Sequence, residues 1–387
     1  MKRPTRGCGC AIAVLVLLLA GGAVAFWKFG WPAWKTRLPP PSGGELQIHV
    51  LDVGPVQGDS ILIISPTGKS VLVDAGDQGR ARIVLEALKR HNVAALDYFI
   101  ATHPHPDHIG GAAEVLKGIK VGTIIDNGVD LSPPAPTPSP GKQSGKGAAN
   151  SAGKESAPKQ KGKAKTVTGF FDDYKEAVKQ SGAQYEKAEF GKKYDLGGGT
   201  RLTVLGPTEP YLTKEKMRAG GNDVNANSVV LRLDYGEFSM LLMGDAEAQS
   251  EDRLMSKDID LNARVLKVAH HGSKYATSES FLERVKPEVA VISDGAWNRY
   301  GHPSPLVLNR LKAVGAKVFR TDLQAEISIT TRGKGNPAYT VKPAKEAESD
   351  VWVGREAQKD DSSRSGFIAY GDFGPPPKPK PVKPEKK

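Results

Sequence analysis

The apolar positions of this chain change rhythm along its length, and each change marks an element. Over 46–53, 60–64 and 70–74, short apolar runs are cut by Gly- and Pro-containing turns, which predicts three strands. Residues 81–91 switch to the spacing of an amphipathic helix, and 96–101 return to an apolar strand. A His-rich loop, a short helix from Gly111 and a strand at 121–126 follow. Regular pattern resumes with a helix at 170–181 and strands at 201–205, 228–234 and 238–243, with Tyr235-Gly236 in a hairpin turn. Helices at 247–256, 278–285 and 305–314 then alternate with strands at 264–268, 288–292 and 317–320, and a last strand covers 326–330. Strands first and βα alternation after, in two halves, predict an α/β fold of two sheets packed face to face with helices outside.

Other stretches break this rhythm. Ala11 to Phe26 is almost wholly apolar, with Lys2, Arg3 and Arg6 ahead of it and Trp27, Phe29, Trp31 and Trp34 behind. It falls just short of the roughly 20 residues of a typical membrane span. Residues 1–27 therefore read either as a signal anchor or, through Ala23-Val24-Ala25, as a cleaved signal peptide. In both cases the basic flank stays in the cytoplasm and the rest of the chain is expected outside. Residues 28–44 form a Pro-rich spacer. Residues 131–166, built from Pro, Ala, Gly, Ser and Lys without an aromatic, cannot bury enough apolar area to order themselves. They read as an insertion within a body spanning 45–345, which is followed by an extension at 346–373 and a Pro/Lys tail at 374–387.

The formal net charge of +11 suggests a nucleic-acid binder until it is located. Beyond the N-terminal cations, seven Lys face Glu155 alone in the insertion, and five Lys face Glu385 alone in the last fourteen residues. Without these segments the body is close to neutral. Such runs attract nucleic acid, anionic lipid or acidic polymer, or are simply solvated. The only cysteines, Cys8 and Cys10, precede the apolar run, so no disulfide or thiolate can act in the body.

The strongest chemical signal is Thr102-His103-Pro104-His105-Pro106-Asp107-His108-Ile109-Gly110-Gly111. Four potential ligands fall within six residues directly after an apolar strand, the place where ligands gather in open α/β sheets. Imidazoles with a carboxylate suit zinc, and also manganese or iron. The alternate spacing lets His103 and His105 face one ion while Asp107 and His108 face a second. No G-x-S-x-G elbow or Walker phosphate loop offers a rival chemistry.

These residues resemble the signature of the metallo-β-lactamase superfamily. The wider chain resembles one branch, the C-terminal hydrolase domain of the ComEC family of DNA-uptake channel proteins and its free-standing relatives. The likeness runs through Leu51-Asp52-Val53-Gly54 with Gln57-Gly58-Asp59-Ser60, Val73-Asp74-Ala75-Gly76, Leu242-Met243-Gly244-Asp245, the segment from Leu266 through His270-His271-Gly272-Ser273, and Arg299-Tyr300-Gly301-His302-Pro303-Ser304-Pro305. It implies a four-layer αβ/βα sandwich binding one or two divalent ions, zinc or manganese. It implies that His103, His105, Asp107, His108, Asp245 and His270 hold metal, with Asp245 bridging and His270 preferred over His271. Asp74 would brace the His loop, Asp107 would orient the attacking water or take its proton, and His302 or His271 would donate a proton to the leaving oxygen.

Two departures accompany the likeness. No His lies between His108 and His270, where most of the superfamily has one; Asn225, Asn227 and Ser228 occupy that region. Pro55-Val56 also separates Asp-Val-Gly from Gln-Gly-Asp-Ser. The implied activity is phosphodiester hydrolysis, with DNA or another phosphodiester as partner, at the outer side of a bacterial cytoplasmic membrane or secreted. Two alternatives stand beside it: hydrolysis of another ester or an amide, and a non-catalytic, membrane-tethered binding module on the same scaffold.

Overall fold

The structure, a computed structural model, describes residues 44–129, 167–218, 220–335 and 338–355. The N-terminal apolar run, almost all of the spacer, the 131–166 insertion and the Pro/Lys tail lie outside the described residues. Among the described residues no helix is long and apolar enough to cross a membrane.

The chain first lays down β1 (Leu46–Val50), β2 (Ile61–Ile64), β3 (Ser70–Val73), β4 (Ala95–Ala101), β5 (Lys120–Asp126) and β6 (Gln184–Lys187). It then builds a second sheet from β7 (Lys193–Gly197), β8 (Thr200–Gly206), β9 (Val230–Tyr235), β10 (Phe238–Leu242), β11 (Val265–Lys267), β12 (Val289–Ile292) and β13 (Lys317–Arg320). Finally β14 (Ile327–Thr331) and β15 (Thr340–Pro343) return to the first sheet. The orders are β15-β14-β1-β2-β3-β4-β5-β6 and β13-β12-β11-β10-β9-β8-β7. Both sheets are mixed. β3 to β6 run parallel in one and β10 to β13 in the other.

Strand periodicity divides the core into three slabs. Ile61, Ile63, Val71 and Val73 of the first sheet meet Leu231, Leu233, Met240, Leu242 and Val291 of the second between the sheets. Their chain neighbours face outward. Leu62 and Leu72 pack under α1 (Ala81–Arg90), α3 (Ala112–Gly118) and α4 (Val167–Ser181), while Leu241, Ala290 and Ile292 pack under α5 (Ala248–Met255), α6 (Glu279–Val285) and α7 (Pro305–Ala313). Burial on both faces explains why the strands read as nearly continuous apolar runs. The result is the four-layer αβ/βα sandwich that the pattern and the resemblance imply.

Three strands carry no clear signal in the sequence. β6, β7 and β15 are sheet edges in which exposed or half-exposed polar residues interleave with few apolar ones. The described part of the C-terminal extension packs on the body. Buried Arg320 donates to the carbonyls of Val351 and Val353 at 3.0 and 2.7 Å, and Arg355 pairs with Asp322 at 2.7 Å.

The carboxyl ends of β3, β4, β10, β11 and β12 deliver Asp74, the His loop, Asp245, the His270-His271 pair and Ser293 to one rim of the sandwich. This is where the C-terminal ends of parallel strands open a crevice.

Candidate metal centre

The His loop is fixed before any ligand is considered. Asp74 ends β3 in a left-handed conformation, φ 60°, rare for a residue with a side chain. The turn aims its carboxylate at the loop after β4. Oδ1 accepts from the Thr102 backbone N–H and Oδ2 from the Thr102 hydroxyl, both at 2.7 Å, and Oδ2 also holds His108 Nδ1 at 2.8 Å. Asp74 thus bonds both the start of the loop and His108. Pro106 opens a one-turn helix, α2 (Pro106–Ile109), with His105 at its N-cap position, and that turn swings Asp107 and His108 away from His103 and His105.

Asp245 lies between two groups of side chains. Its Oδ1 is 3.3 Å from His108 Nε2 and 3.5 Å from His271 Nε2. Its Oδ2 is 3.8 Å from His103 Nε2 and 3.6 Å from His270 Nε2. Asp107 Oδ2 joins the first group, 3.5 Å from His271 Nε2 and 4.0 Å from His108 Nε2. His105 joins the second, with Nδ1 3.1 Å from His103 Nε2. Asp107, His108, Asp245 and His271 each offer a ligand atom within 4.8 Å of the others.

This arrangement corrects one assignment. Sequence order favours His270 as the partner of Asp107 and His108, but the structure places His271 there and His270 beside His103. The cause is the backbone after β11. His270 and His271 are both left-handed, φ 48° and 53°, and Gly272 follows at φ 83°. This turn points His271 inward and leaves His270 toward the opening. Two consecutive strained residues cost on the order of 1–3 kcal/mol each, the kind of strain that collects at functional sites.

The residues fit a divalent cation. Each inner imidazole is anchored by Nδ1, His108 on Asp74 and His271 on the Ser293 carbonyl at 2.8 Å, which leaves both Nε2 atoms facing the centre. Asp245 Oδ1 is buried and makes no hydrogen bond. Burial holds the pKa of His103 well below the usual range and also lowers those of His105 and His270, so their lone pairs are free at neutral pH. Burial opposes charge on His271 as well, yet Asp245, Asp59 and Asp107 outweigh it and raise its pKa to about 9. A proton there takes the place that a metal cation would fill.

His302 reaches the centre indirectly. Its Nδ1 meets Gln57 Oε1 at 2.9 Å, and Gln57 Nε2 donates to Asp107 Oδ2 at 2.8 Å. Burial, with His270 and His271 nearby, lowers its pKa to about 3. At neutral pH it is uncharged, and the contact with Gln57 engages one ring nitrogen. The structure thus links His302, read from sequence as a proton donor, to Asp107 through Gln57.

Other contributors went unassigned in the sequence. Asn225 Nδ2 lies 3.3 Å from His270 Nε2, in the region without a histidine, whereas Asn227 braces the Leu212 backbone and Ser228 Oγ accepts from Asp245 N. Beneath His271, fully buried Lys267 of β11 donates to Asp59 Oδ2 at 2.7 Å, tying the two sheets together. Asp59 Oδ1 is 3.4 Å from His271 Nδ1. The Gln57-Gly58-Asp59-Ser60 motif was visible in the sequence, but not its reach across the sandwich.

A two-sheet sandwich with imidazoles and carboxylates at one rim defines the class: metal-dependent hydrolases of the metallo-β-lactamase superfamily, whose family model matches residues 53–184. Within that class the chain resembles the ComEC-like branch. It is 28% identical over 343 residues to ComE operon protein 3 of Bacillus subtilis (strain 168), covering 82% of this chain and 36% of the relative. It is 27% identical over 326 residues to competence protein ComA of Neisseria gonorrhoeae, covering 83% and 37%. The chain thus spans little more than a third of the length of these relatives. A solved structure, Igni18, a metallo hydrolase from Ignicoccus hospitalis, aligns at 14% identity and TM-score 0.40, covering 73% of this chain and 98% of that one.

Proposed function

We propose that the chain hydrolyses phosphodiesters, with DNA as one substrate, and that the body works on the outer side of a membrane. The observation that carries the reading is Asp245, whose two oxygens divide between two imidazole groups. His103, His105 and His270 would hold one ion, Asp107, His108 and His271 the other, with Asp245 shared. Ions held there would lower the pKa of water from about 15.7 toward about 7 and offset charge growing on a phosphoryl oxygen.

The chain's own groups supply the rest. Half-buried Asp107 stays ionised, because the charges on His108 and His271 outweigh its desolvation and lower its pKa. Gln57 fixes one of its oxygens, so the carboxylate can orient a water and take its proton. The water oxygen forms the new P–O bond, the ester P–O bond breaks, and the departing oxygen is protonated from solvent. His271 belongs with the ligands in this scheme, not with the proton donors. The competence proteins among the relatives favour DNA over other esters. The apolar run behind Lys2, Arg3 and Arg6 favours export.

The test is turnover of bis-nitrophenyl phosphate and of single-stranded DNA by the purified chain with manganese or zinc. Both should be hydrolysed, and Asp107→Asn should remove most of the activity on each. Inactivity on both with metal bound would overturn the proposal.

A further inference from the structure

The two loops that present His270, His271 and His302 also carry basic–aromatic pairs that the chemistry above does not use. Lys274-Tyr275 follows the His-His-Gly-Ser segment, and Arg299-Tyr300 precedes Gly301-His302. In each pair the cation lies over the ring that follows it, Lys274 Nζ 5.2 Å from the Tyr275 centroid and the Arg299 guanidinium 5.2 Å from that of Tyr300. Tyr275, Trp297 and Tyr300 are 39%, 43% and 49% exposed. They account for three of the five exposed aromatic rings among the described residues, so the exposure gathers on the two loops that carry these histidines. Large rings left in water beside a reactive cleft mark a surface that a ligand covers.

These rings are held in place. Tyr300 stacks on His302, with centroids 5.9 Å apart and planes 26° from parallel, and His302 leads through Gln57 to Asp107. The loop bearing Trp297 is clamped by Pro55-Val56, the dipeptide that interrupts the motif at residues 51–60. Trp297 N donates to the Pro55 carbonyl at 2.7 Å, and Gly295 lies so close to Val56 that a Cβ would meet its backbone at 2.2 Å. The inserted dipeptide therefore acts as a support for the aromatic loop.

We propose that Lys274-Tyr275, Trp297 and Arg299-Tyr300 form a platform that holds a single-stranded polynucleotide by stacking its bases while one of its phosphates enters the metal centre. The inference rests on the phosphodiesterase reading and adds to it the residues that select the strand. Unpaired bases offer faces to the rings and each linkage offers a phosphate to Lys274 or Arg299. Bases in a duplex already stack on one another and present no free face. The body is close to neutral and the Lys-rich segments attract any phosphate chain alike, so the rings provide the discrimination.

The test is binding of labelled phosphorothioate 12-mers, which resist cleavage, to the full chain: oligo-dT, oligo-rU, an abasic strand and a duplex. The base-bearing single strands should bind at least about tenfold more tightly than the abasic strand, given the usual worth of one base stacked on an aromatic ring. The dT and rU arms tell deoxyribose from ribose strands. Trp297→Ala and Tyr300→Ala should each weaken dT binding by about tenfold and lower the ratio of oligonucleotide to bis-nitrophenyl phosphate turnover. Tyr185→Ala, an exposed ring on β6, should change neither. Equal affinity for dT, abasic and duplex strands, or wild-type dT binding by both ring variants, would overturn the platform. Failure to hydrolyse bis-nitrophenyl phosphate would count against the phosphodiesterase reading alone, since the binding arms do not depend on turnover.

Discussion

All eight histidines of the chain fall into two clusters, and only one of them is built like a metal centre. Six surround Asp245. The other two, His49 on β1 and His91 at the end of α1, surround Glu326, and their rings stack with centroids 3.7 Å apart. Glu326 Oε1 lies 3.2 Å from His49 Nδ1 and 2.9 Å from His91 Nε2, so these three residues also meet a distance criterion for metal ligands. The difference lies in the remaining partners. Arg90 pairs with Glu326 Oε2 at 2.5 Å, supplying the positive charge, and Ser328 Oγ meets His49 Nδ1 at 2.9 Å. Among the described residues Asp245 pairs only with histidines, and a buried carboxylate oxygen is left without a hydrogen bond. A cluster that completes its own charge balance is structural; one that leaves a buried anion open to several imidazoles is built for a cation.

The two clusters should differ most at their supporting ion pairs. Lys267→Met leaves Asp59 buried without its partner beneath the metal centre and should cost ~3–5 kcal/mol in urea unfolding. Replacing both partners with apolar residues should recover most of that loss. At the other cluster Arg90 is largely exposed, so Arg90→Met should cost about 1 kcal/mol or less. Equal losses at the two sites would remove the distinction between them.

Next in size is the brace. Asp74→Asn keeps the bulk of the side chain but removes the charge that holds His108 Nδ1. Metal affinity should fall roughly 10- to 100-fold, as read by chelator competition. His91→Ala should leave that affinity unchanged.

The smallest effect separates the clusters by pH. Burial opposes the charge of Glu326, but its bond to His49 and its pairs with Arg90 and His91 outweigh burial and lower its pKa from 4.5 to about 2. A carboxyl whose pKa is depressed on folding stabilises the protein above its unfolded value. That contribution is lost as pH falls from 4.5 through 2. Glu326→Gln should therefore flatten the stability curve in that window, as measured by thermal unfolding. An unchanged slope would show that the three partners do not act on Glu326 as the distances imply.

The sequence made most of this architecture legible, for identifiable reasons. Strands buried on both faces, such as 61–64 and 289–292, print as apolar runs, and the His loop prints as four ligands in six residues. The edge strands β6, β7 and β15 do not, because half-exposed strands have little apolar pattern to show. The order of His270 and His271 was unreadable because two successive left-handed residues decide which ring turns inward. The Lys267–Asp59 pair was equally hidden: its members are 208 residues apart, Lys267 on a strand of the second sheet and Asp59 in the loop that leads into β2 of the first.

The most direct measurement is metal content by element-resolved mass spectrometry on the full chain and on its His271→Ala and His91→Ala variants. One or two divalent ions should be found per chain, with a clear loss in His271→Ala and full retention in His91→Ala. Retention in His271→Ala together with loss in His91→Ala would place the metal at Glu326 and not at Asp245.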